Sequence, residues 1–317
     1  MKPLIVILGP TASGKSSLAI NLAKKYQGEI ICADSRTIYD GLKIGTASPI
    51  SQISNLKSQI SKWGRVYIIN DIPHHLLHFV SSIEVFTVAQ FQEITYKIID
   101  DILGHGKIPF LVGGTGLYID TVTKGLKIPR VAPNFALREK LEKLSNKQLT
   151  AKLKMLDRPT AEKIDTKNKR RLIRALEVCT VTGQPFSKFQ KSKKPKYNIL
   201  KIGIKLPQEK LNKRIDERVD LMIKTGLVEE IKKLMDEGCR LNTPAMSGLG
   251  YKQIADYYIN KNKTLGDVIL DIKLKTRQYA KRQMTWFRRD KETVWIKDKK
   301  EAENKIKNFL SKKPKRV

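Results

Sequence analysis

Short apolar runs recur along the chain, with polar segments of helical character between them. Five such runs predict buried β-strands, and they cover residues 4–8, 29–33, 65–69, 108–112 and 199–206. Apolar residues in several of the intervening segments recur every three or four positions, which predicts amphipathic helices at residues 17–24, 86–103 and 211–222. This alternation is typical of an α/β protein whose parallel sheet is flanked by helices.

The alternation stops between residues 119 and 196, where the sequence becomes helical in pattern and strongly charged. The β pattern returns at residues 199–206, which we expect to be the last strand of the sheet. The chain therefore predicts a core formed by residues 1–118 and 197–317. A basic, helical insertion domain is predicted at residues 119–196.

The loop after the first predicted strand carries the strongest chemical signal. Its sequence, GPTASGKS, fits the pattern G-x-x-x-x-G-K-[ST] and leads directly into a predicted helix. Gly9 and Gly14 let backbone amides surround phosphate oxygens, Lys15 adds a positive charge, and Ser16 is placed to bind magnesium. We predict a P-loop NTPase-like fold with a phosphate site here. The pattern leaves open which phosphate compound binds and whether phosphate is transferred or departs.

Two polar residues follow the ends of other predicted strands. Asp34 follows residues 29–33, and Thr115 follows residues 108–112 after two glycines. The carboxyl ends of parallel strands meet at one edge of a sheet, so both side chains should face the phosphate loop. Asp34 could hold magnesium through water, accept a proton from a nucleophile, or only cap a short helix after it.

The chain is unusually basic. It contains 62 Lys and Arg residues against 31 Asp and Glu residues, a formal net charge of +31. This excess favours nucleic acid as a partner over merely solvated lysines. Arg214 and Arg218 can aim two guanidinium groups at one anion, while Arg170 and Arg174 in the insertion are expected to contact nucleic-acid phosphates. Other clustered basic residues are Lys188, Lys191, Lys193, Lys194, Lys196, Lys273, Arg277, Lys281 and Arg288.

Other features exclude several classes of protein. Cys32, Cys179 and Cys239 are odd in number and far apart, so neither a disulfide framework nor a zinc site is indicated. His74 and His78 have the spacing of metal ligands on a helix, but the absence of an H-E-x-x-H pattern favours a packing or hydrogen-bonding role. The first apolar run is too short for a signal peptide, and no stretch approaches a membrane span. We expect a soluble, cytoplasmic protein that acts as a monomer.

Several motifs occur along the chain in one order: GPTASGKS, ADSRTIYDGLKIGTASP, IPHHLL, LVGGTGLYI, NKRRLIRALEV, RIDERVDLM, GLVEEI, GLGYKQI and TRQYAKRQMTWFR. Over nearly its whole length the chain thereby resembles the tRNA dimethylallyltransferase family, in its bacterial form. One phosphate loop is common to many kinases, whereas this ordered set is specific. The resemblance implies transfer of a dimethylallyl group from dimethylallyl diphosphate to N6 of adenosine 37 in tRNA, with release of diphosphate and with Mg2+ as cofactor.

The resemblance also implies roles for individual residues. Asp34 would take the proton from adenine N6, and Thr115 with Arg218 would stabilise charge on the departing diphosphate. The insertion would match the family's helical domain, which closes over the anticodon stem-loop. The residues implied to bind diphosphate are Gly9, Thr11, Ala12, Ser13, Gly14, Lys15 and Ser16. Those implied to contact tRNA are Asp34, Ser35, Arg36, Thr37, Thr115, Arg138, Arg170, Arg171, Leu172, Ile173 and Arg174.

Two other functions would use some of the same residues. A small-molecule kinase would use the same loop and sheet, but the basic insertion would then have no purpose. An RNA-binding protein with a vestigial loop is disfavoured because Lys15, Ser16 and Asp34 are all present.

Thr37 departs from the family, which often has glutamine at this position.

Overall fold

The computed structural model describes residues 1–50, 56–189, 194–241, 243–260 and 263–311. The chain divides into two compact units. One is formed by Met1–Ile119 with Lys196–Val317, and the other by Asp120–Pro195. These boundaries differ by one residue from those expected from the sequence, and each unit has a buried core of its own.

The first unit is built on one mixed sheet, in which the described residues form eight strands. In chain order these are β1 Pro3–Leu8, β2 Gly28–Cys32, β3 Lys57–Ser61, β4 Gly64–Ile69, β5 Ile72–His75, β6 Ile108–Gly113, β7 Asn198–Ile204 and β8 Val294–Ile296. Their spatial order is β3-β4-β5-β2-β6-β1-β7-β8. From β5 to β8 in this order all neighbours are parallel, while β3 and β4 form an antiparallel edge.

The centre of the sheet agrees with the predicted parallel core. In β1, Ile5 pairs with Phe110 of β6 and with Leu200 of β7. Leu4 and Ile7 of β1 are fully buried, as expected for an unbroken apolar run in a central parallel strand. Because β1, β2 and β6 are neighbours and parallel, the loops after them open at the same edge of the sheet.

The five predicted strands correspond to β1, β2, β4, β6 and β7. The expectation that residues 199–206 form the last strand was wrong, because β8 pairs with β7 through Ile202 and Val294. Three strands were missed for local reasons. Strand β8 has only three residues, β5 has four and contains Pro73, and β3 is an exposed edge strand without alternating apolar residues.

The histidines near β5 have structural partners. His74 and His75 lie on a strand, so the helical spacing considered for metal binding is wrong. His75 Nε2 is 2.7 Å from a Glu29 carboxylate oxygen, and His78 Nε2 is 2.8 Å from Ser48 Oγ. These contacts agree with the hydrogen-bonding role favoured above.

The helices connect the strands and form most of the second unit. In chain order they are α1 Lys15–Lys25, α2 Val88–Gly104, α3 Gly116–Thr123, α4 Phe135–Glu142, α5 Asn146–Leu156, α6 Arg158–Lys163, α7 Lys169–Thr182, α8 Gln208–Lys224, α9 Leu227–Asp236, α10 Tyr251–Asn260, α11 Leu265–Phe287 and α12 Lys299–Ser311. Helix α2 begins with a capping box of Thr87 and Gln90, and α11 with one of Thr264 and Asp267. Helices α1 and α8 include the predicted segments 17–24 and 211–222, and α2 begins two residues after the start of the predicted segment 86–103. None of the helices within the described residues has the length and apolar character to cross a membrane.

The described residues of the second unit form helices joined by irregular segments, with a short 3-10 turn at Phe186–Phe189. Leu149 and Leu153 of α5 pack against Leu172 and Leu176 of α7 in its core. Glu177 of α7 is also completely buried. A buried carboxylate requires partners, and the unit supplies three.

The partners of Glu177 are two arginines and one backbone amide. Its carboxylate accepts from Arg138 Nε (2.7 Å) and Nη2 (2.8 Å), from Arg174 Nη1 (2.5 Å) and from Asn134 N (2.7 Å). Arg174 Nη2 also donates to Val131 O (3.0 Å). Burial by itself would raise the pKa of Glu177, but the hydrogen bonds from Arg138, Arg174 and Asn134 N together outweigh it and lower that pKa. The carboxylate therefore joins the segment before α4 to α7.

Replacing Glu177 with Ala should destabilise the second unit. The substitution leaves two arginines without their buried partner, and such losses cost about 3–5 kcal/mol. Hydrogen–deuterium exchange of the full chain should show faster exchange in α5 and α7. Glu162→Ala, which removes an exposed ion pair with Arg158, is the matched control and should change exchange little. Unchanged protection of α7 in Glu177→Ala would contradict this role.

Candidate active site

The phosphate-loop sequence forms a tight turn between β1 and α1. Ala12 and Gly14 have positive φ angles of 60° and 92°, and Ser13 N closes the turn by donating to Pro10 O (3.3 Å). Among the described residues, the amides of residues 12 and 14–16 donate to no protein acceptor. They are therefore free to bind an anion at the N-terminus of α1.

Two positive side chains border this loop. Lys15 Nζ donates to Pro10 O at 2.6 Å. Arg218 of α8 donates from Nη1 to Thr11 Oγ1 at 3.3 Å. The loop thus has one cation of its own, Lys15, and a second, Arg218, that lies more than 200 residues later in the sequence.

Arg214 adds a third charge to the same region. Its Nη1 lies 3.9 Å from the position that a Cβ on Gly14 would take. In the parts of the chain that the structure describes, no carboxylate forms an ion pair with Lys15, Arg214 or Arg218. Burial and the charge of Arg218 lower the pKa of Lys15 to about 8, against an opposing effect of Asp34. Burial and Arg214 likewise lower the pKa of Arg218. We call these three side chains the cation cluster.

Asp34 follows β2 and performs part of the capping role weighed above. Its Oδ1 accepts from Arg36 N (2.9 Å) and more weakly from Thr37 N (3.5 Å). The residues it caps form a turn rather than the short helix considered. Within the described residues, Asp34 Oδ2 accepts no hydrogen bond. One carboxylate oxygen therefore orders the turn and the other is free for chemistry.

Thr115 ties the end of β6 to the segment that carries Asp34. Its Oγ1 accepts from Ser35 N (3.1 Å), and its backbone N donates to Ala33 O (3.3 Å). Glycine is required at position 113, at the end of β6, because a Cβ there would overlap the Ala33 carbonyl. The loops after β2 and β6 are thus joined directly, as their predicted position at one edge of the sheet suggested.

Helix α11 contributes two site residues that the sequence analysis did not assign. Gln283 Oε1 accepts from Thr11 N (2.8 Å), and Gln283 Nε2 donates to Gly114 O (2.8 Å). Tyr279, one turn earlier, lines the same cavity. Burial, with a further effect of the Asp34 charge, raises the pKa of Tyr279 to about 12. Both residues belong to the motif TRQYAKRQMTWFR, and their four-residue spacing places them on one helix face.

Most of these residues line one cavity of about 510 Å³, namely Thr11, Ala12, Gly14, Lys15, Asp34, Arg218, Tyr279 and Gln283. Its polar walls include Lys15, Asp34 and Arg218. Its apolar walls come from α1, the central strands, the segment after β5, α8 and the loop after Gly41, and they include Ala19, Ile20, Ile30, Ile44, Leu77, Val112, Leu221 and Met222. A cavity with cations at one side and apolar side chains at another suits a ligand that has an anionic and a hydrocarbon part.

The side chains of the turn after Asp34 form contacts with other residues of the protein. Arg36 Nη2 donates to Ser247 Oγ (3.0 Å) and its Nη1 to Ser35 O (3.2 Å). Thr37 is buried, with Oγ1 3.0 Å from Cys32 Sγ. Residue 37 therefore faces the inside of the site, where this chain has a short hydroxyl side chain.

The insertion residues expected to contact tRNA have different environments within their own unit. Arg170 and Arg171 are exposed and form no ion pair with the described residues. Leu172 and Ile173 are buried, so their side chains belong to the core of the unit. Arg138 and Arg174 are held by Glu177, as described above, although both remain partly exposed. Arg170 and Arg171 are thus the two that present unpaired charge.

Several of the other clustered basic residues have acidic partners. Lys273 and Arg277 of α11 pair with Asp220 and Asp216 of α8, so these two hold helices together instead of forming a free basic face. Lys196 pairs with Asp100. Lys191 and Lys193 lie outside the described residues.

The fold and the loop define a P-loop-type α/β protein with a cation-lined cavity beside a carboxylate. The IPP transferase family model matches residues 37–290. A tRNA dimethylallyltransferase of Acetivibrio thermocellus is 43% identical over 314 residues, which cover 96% of this chain and 95% of the relative. A second, of Halothermothrix orenii, is 41% identical over 92% of this chain and 87% of the relative.

Solved structures agree with these relatives. The full-length tRNA isopentenylpyrophosphate transferase of Bacillus halodurans superposes with a TM-score of 0.67 at 35% identity, over 98% of this chain and 96% of that one. A eukaryotic dimethylallyltransferase acting on tRNA gives a TM-score of 0.73 at 28% identity, over 98% of this chain and 78% of that one. The chain belongs to the IPP transferase family, together with the tRNA dimethylallyltransferases.

Lys15→Met should weaken the binding of inorganic pyrophosphate by about tenfold or more, since it removes a cation from the loop at a cost of at least 1.4 kcal/mol. Isothermal titration calorimetry measures the change. Lys24→Met is the matched control, because Lys24 lies on the same helix but is exposed. Its affinity should stay within about twofold of the wild type. Equal affinity in Lys15→Met and the wild type would contradict the assignment of this loop.

Proposed function

We propose that this chain transfers the dimethylallyl group of dimethylallyl diphosphate to N6 of adenosine 37 in tRNA and releases diphosphate. The observation that carries the proposal is the meeting, in one cavity, of Lys15 and Arg218 of the cation cluster with Asp34, which has a free carboxylate oxygen. The relatives named tRNA dimethylallyltransferase support the same activity. If the chain were a small-molecule kinase, the exposed arginines of the insertion would have no role.

The diphosphate is proposed to occupy the phosphate loop. The amides of Ala12, Gly14, Lys15 and Ser16 have unused donors, and Lys15 and Arg218 add charge. In the reaction the bond between C1 of the prenyl group and the bridging oxygen breaks, and its electron pair stays on the diphosphate. Donors already held in place stabilise that charge without reorganisation. Thr115 is proposed to assist by ordering the facing loop.

The new bond forms between adenine N6 and C1. The N6 lone pair is delocalised into the ring, so the amine becomes a good nucleophile only as its proton leaves. Asp34 Oδ2 is the proposed base, since Oδ1 is engaged by the turn amides and Oδ2 is not. The adenine must leave its stack to reach the cavity, which is easier in a loop than in a duplex.

Magnesium is proposed as the cofactor. Ser16 is exposed at the start of α1 with no hydrogen bond from its hydroxyl among the described residues. This hydroxyl, together with oxygens of the diphosphate, would supply hard ligands of the kind that Mg2+ prefers, so Ser16 fits the ion. When bound, the ion would neutralise charge on the diphosphate.

The tRNA is proposed to contact the insertion and the turn after Asp34. Exposed Arg170 and Arg171 suit phosphate contacts of the anticodon stem-loop. Action as a monomer stays a prediction. We also infer a cytoplasmic location, where both substrates are made.

Incubation of the protein with labelled dimethylallyl diphosphate, magnesium and bulk tRNA tests the proposal. We expect label in tRNA, and N6-dimethylallyladenosine after digestion to nucleosides. Phosphate transfer from ATP to a small molecule, with no labelled tRNA, would favour a kinase. Binding of tRNA without any labelled product would favour an RNA-binding protein.

Asp34→Asn should lower the single-turnover rate of prenyl transfer by about a hundredfold or more, because an amide cannot accept the N6 proton. Its affinity for tRNA should remain within a few-fold of the wild type. Asp40→Asn, an exposed aspartate six residues later, is the matched control and should retain the full rate. A near-normal rate in Asp34→Asn would remove Asp34 as the base.

Arg170→Ala combined with Arg171→Ala should weaken tRNA binding and reduce the slope of log affinity against log salt by about 1–2. Filter binding at several salt concentrations measures the slope. Arg158→Ala is the matched control, since Arg158 is an exposed arginine of the same unit that is paired with Glu162. A slope equal to that of the wild type would exclude these arginines from the tRNA interface.

A further inference from the structure

Gln283 lies where α11 passes beneath the two glycine-containing loops of the active site. Its side chain is only 6% exposed, and both ends of its amide are engaged. Oε1 accepts from Thr11 N at 2.8 Å, and Nε2 donates to Gly114 O at 2.8 Å. One rigid amide thus spans from the phosphate loop to the loop after β6.

The two backbone groups that Gln283 binds belong to different parts of the active site, the phosphate loop and the loop next to Asp34. On one side, Thr11 accepts a hydrogen bond from Arg218 of the cation cluster. On the other, Gly114 precedes Thr115, whose Oγ1 accepts from Ser35 N next to Asp34. A continuous chain of hydrogen bonds and covalent bonds therefore leads from Arg218 through Gln283 to the residue beside Asp34.

The chemistry of the two backbone groups selects glutamine at this position. Thr11 N can only donate and Gly114 O can only accept, so the bridging side chain must present one acceptor and one donor. A glutamate at position 283 would place a carboxylate oxygen against the Gly114 carbonyl. The close approach also explains Gly114, because a Cβ there would lie 2.5 Å from Gln283 Nε2.

We propose that Gln283 is a positioning residue that sets the separation between the diphosphate loop and Asp34. The role rests on the proposed function, because the distance matters only if leaving group and base act on one substrate pair. Gln283 acts through backbone groups on both sides. It also engages the Thr11 amide, so diphosphate must be bound by the later amides of the loop, and the implied role of Thr11 is reduced to its hydroxyl.

Separation between reacting groups affects the transition state more than it affects binding, since a misplacement of about 1 Å can cost about a hundredfold in rate. Loss of the bridge should therefore reduce kcat while both substrates still bind. A residue that only stabilised the fold would lower the amount of folded enzyme without changing kcat per folded molecule. The division between kcat and KM distinguishes the two roles.

The test uses the full chain and three variants. Gln283→Met keeps the length of the side chain and removes both hydrogen bonds. Gln283→Glu keeps an acceptor for Thr11 N and opposes the Gly114 carbonyl. Gln253→Met is the matched control, since Gln253 is another buried glutamine that accepts a backbone hydrogen bond, from Gly250 N at 3.0 Å, and it does not line the active-site cavity.

Prenyl transfer to tRNA is measured for each, with folding checked by circular dichroism and thermal unfolding. We expect kcat to fall by about 10- to 100-fold in Gln283→Met and in Gln283→Glu. The KM values for both substrates and the affinity for inorganic pyrophosphate should stay within about threefold of the wild type. Gln253→Met should keep kcat within about threefold.

Three results would overturn the inference. The first is a kcat per folded molecule within threefold of the wild type in Gln283→Met. The second is a loss confined to KM or to pyrophosphate affinity, which would make Gln283 a binding residue. The third is near-normal kcat in Gln283→Glu, which would mean that only the Thr11 bond matters. If the wild type itself transfers no prenyl group, the proposed function fails first and the positioning role fails with it.

Discussion

The active site depends on the electrostatic repulsion among three positively charged side chains. Lys15, Arg214 and Arg218 lie around one loop, and among the described residues no carboxylate pairs with them. Burial, and next to it the charge of Arg218, lowers the pKa of Lys15, while burial and the charge of Arg214 lower the pKa of Arg218. Such a cluster costs folding free energy, and a bound polyanion would recover it. The central strands supply the rigid support that keeps the charges close.

The rest of the site is organised relative to this cluster. The apolar run of β1 delivers the loop to the edge of the sheet, and parallel neighbours β2 and β6 bring Asp34 and Thr115 to the same edge. Glycines permit close approach of the strand ends, as at Gly113. Helices α8 and α11 then close the cavity from the C-terminal half of the chain, supplying Arg218 and Gln283. Leaving group and base are thereby held by separate elements that share hydrogen bonds.

The predictable parts of the fold were those encoded by local pattern. The strand, glycine loop and helix around Lys15 were predicted because apolar run, turn residues and helix occur within 25 residues. Strands β3, β5 and β8 were missed because an exposed edge, a proline and a length of three residues each weaken that pattern. The helical insertion was recognisable from the loss of strand signals, whereas the exact pairing of its arginines was not.

Side-chain roles that depend on distant partners could not be read from the chain. Gln283 contacts a residue 272 positions earlier, and nothing adjacent to it in the sequence indicates this. The buried Glu177 turns Arg138 and Arg174 into partners of a carboxylate, although sequence spacing alone makes them resemble free cations. Lys273 and Arg277 were counted among the clustered basic residues for the same reason, and their aspartate partners lie on another helix.

The most direct test is a crystal structure of the protein with an unreactive thio analogue of dimethylallyl diphosphate, magnesium and an anticodon stem-loop. The diphosphate should lie against the amides of residues 12 and 14–16 and the side chains of Lys15 and Arg218, with adenine N6 between prenyl C1 and Asp34 Oδ2. A diphosphate bound in another cavity, or an Asp34 carboxylate turned away from N6, would contradict the proposed arrangement.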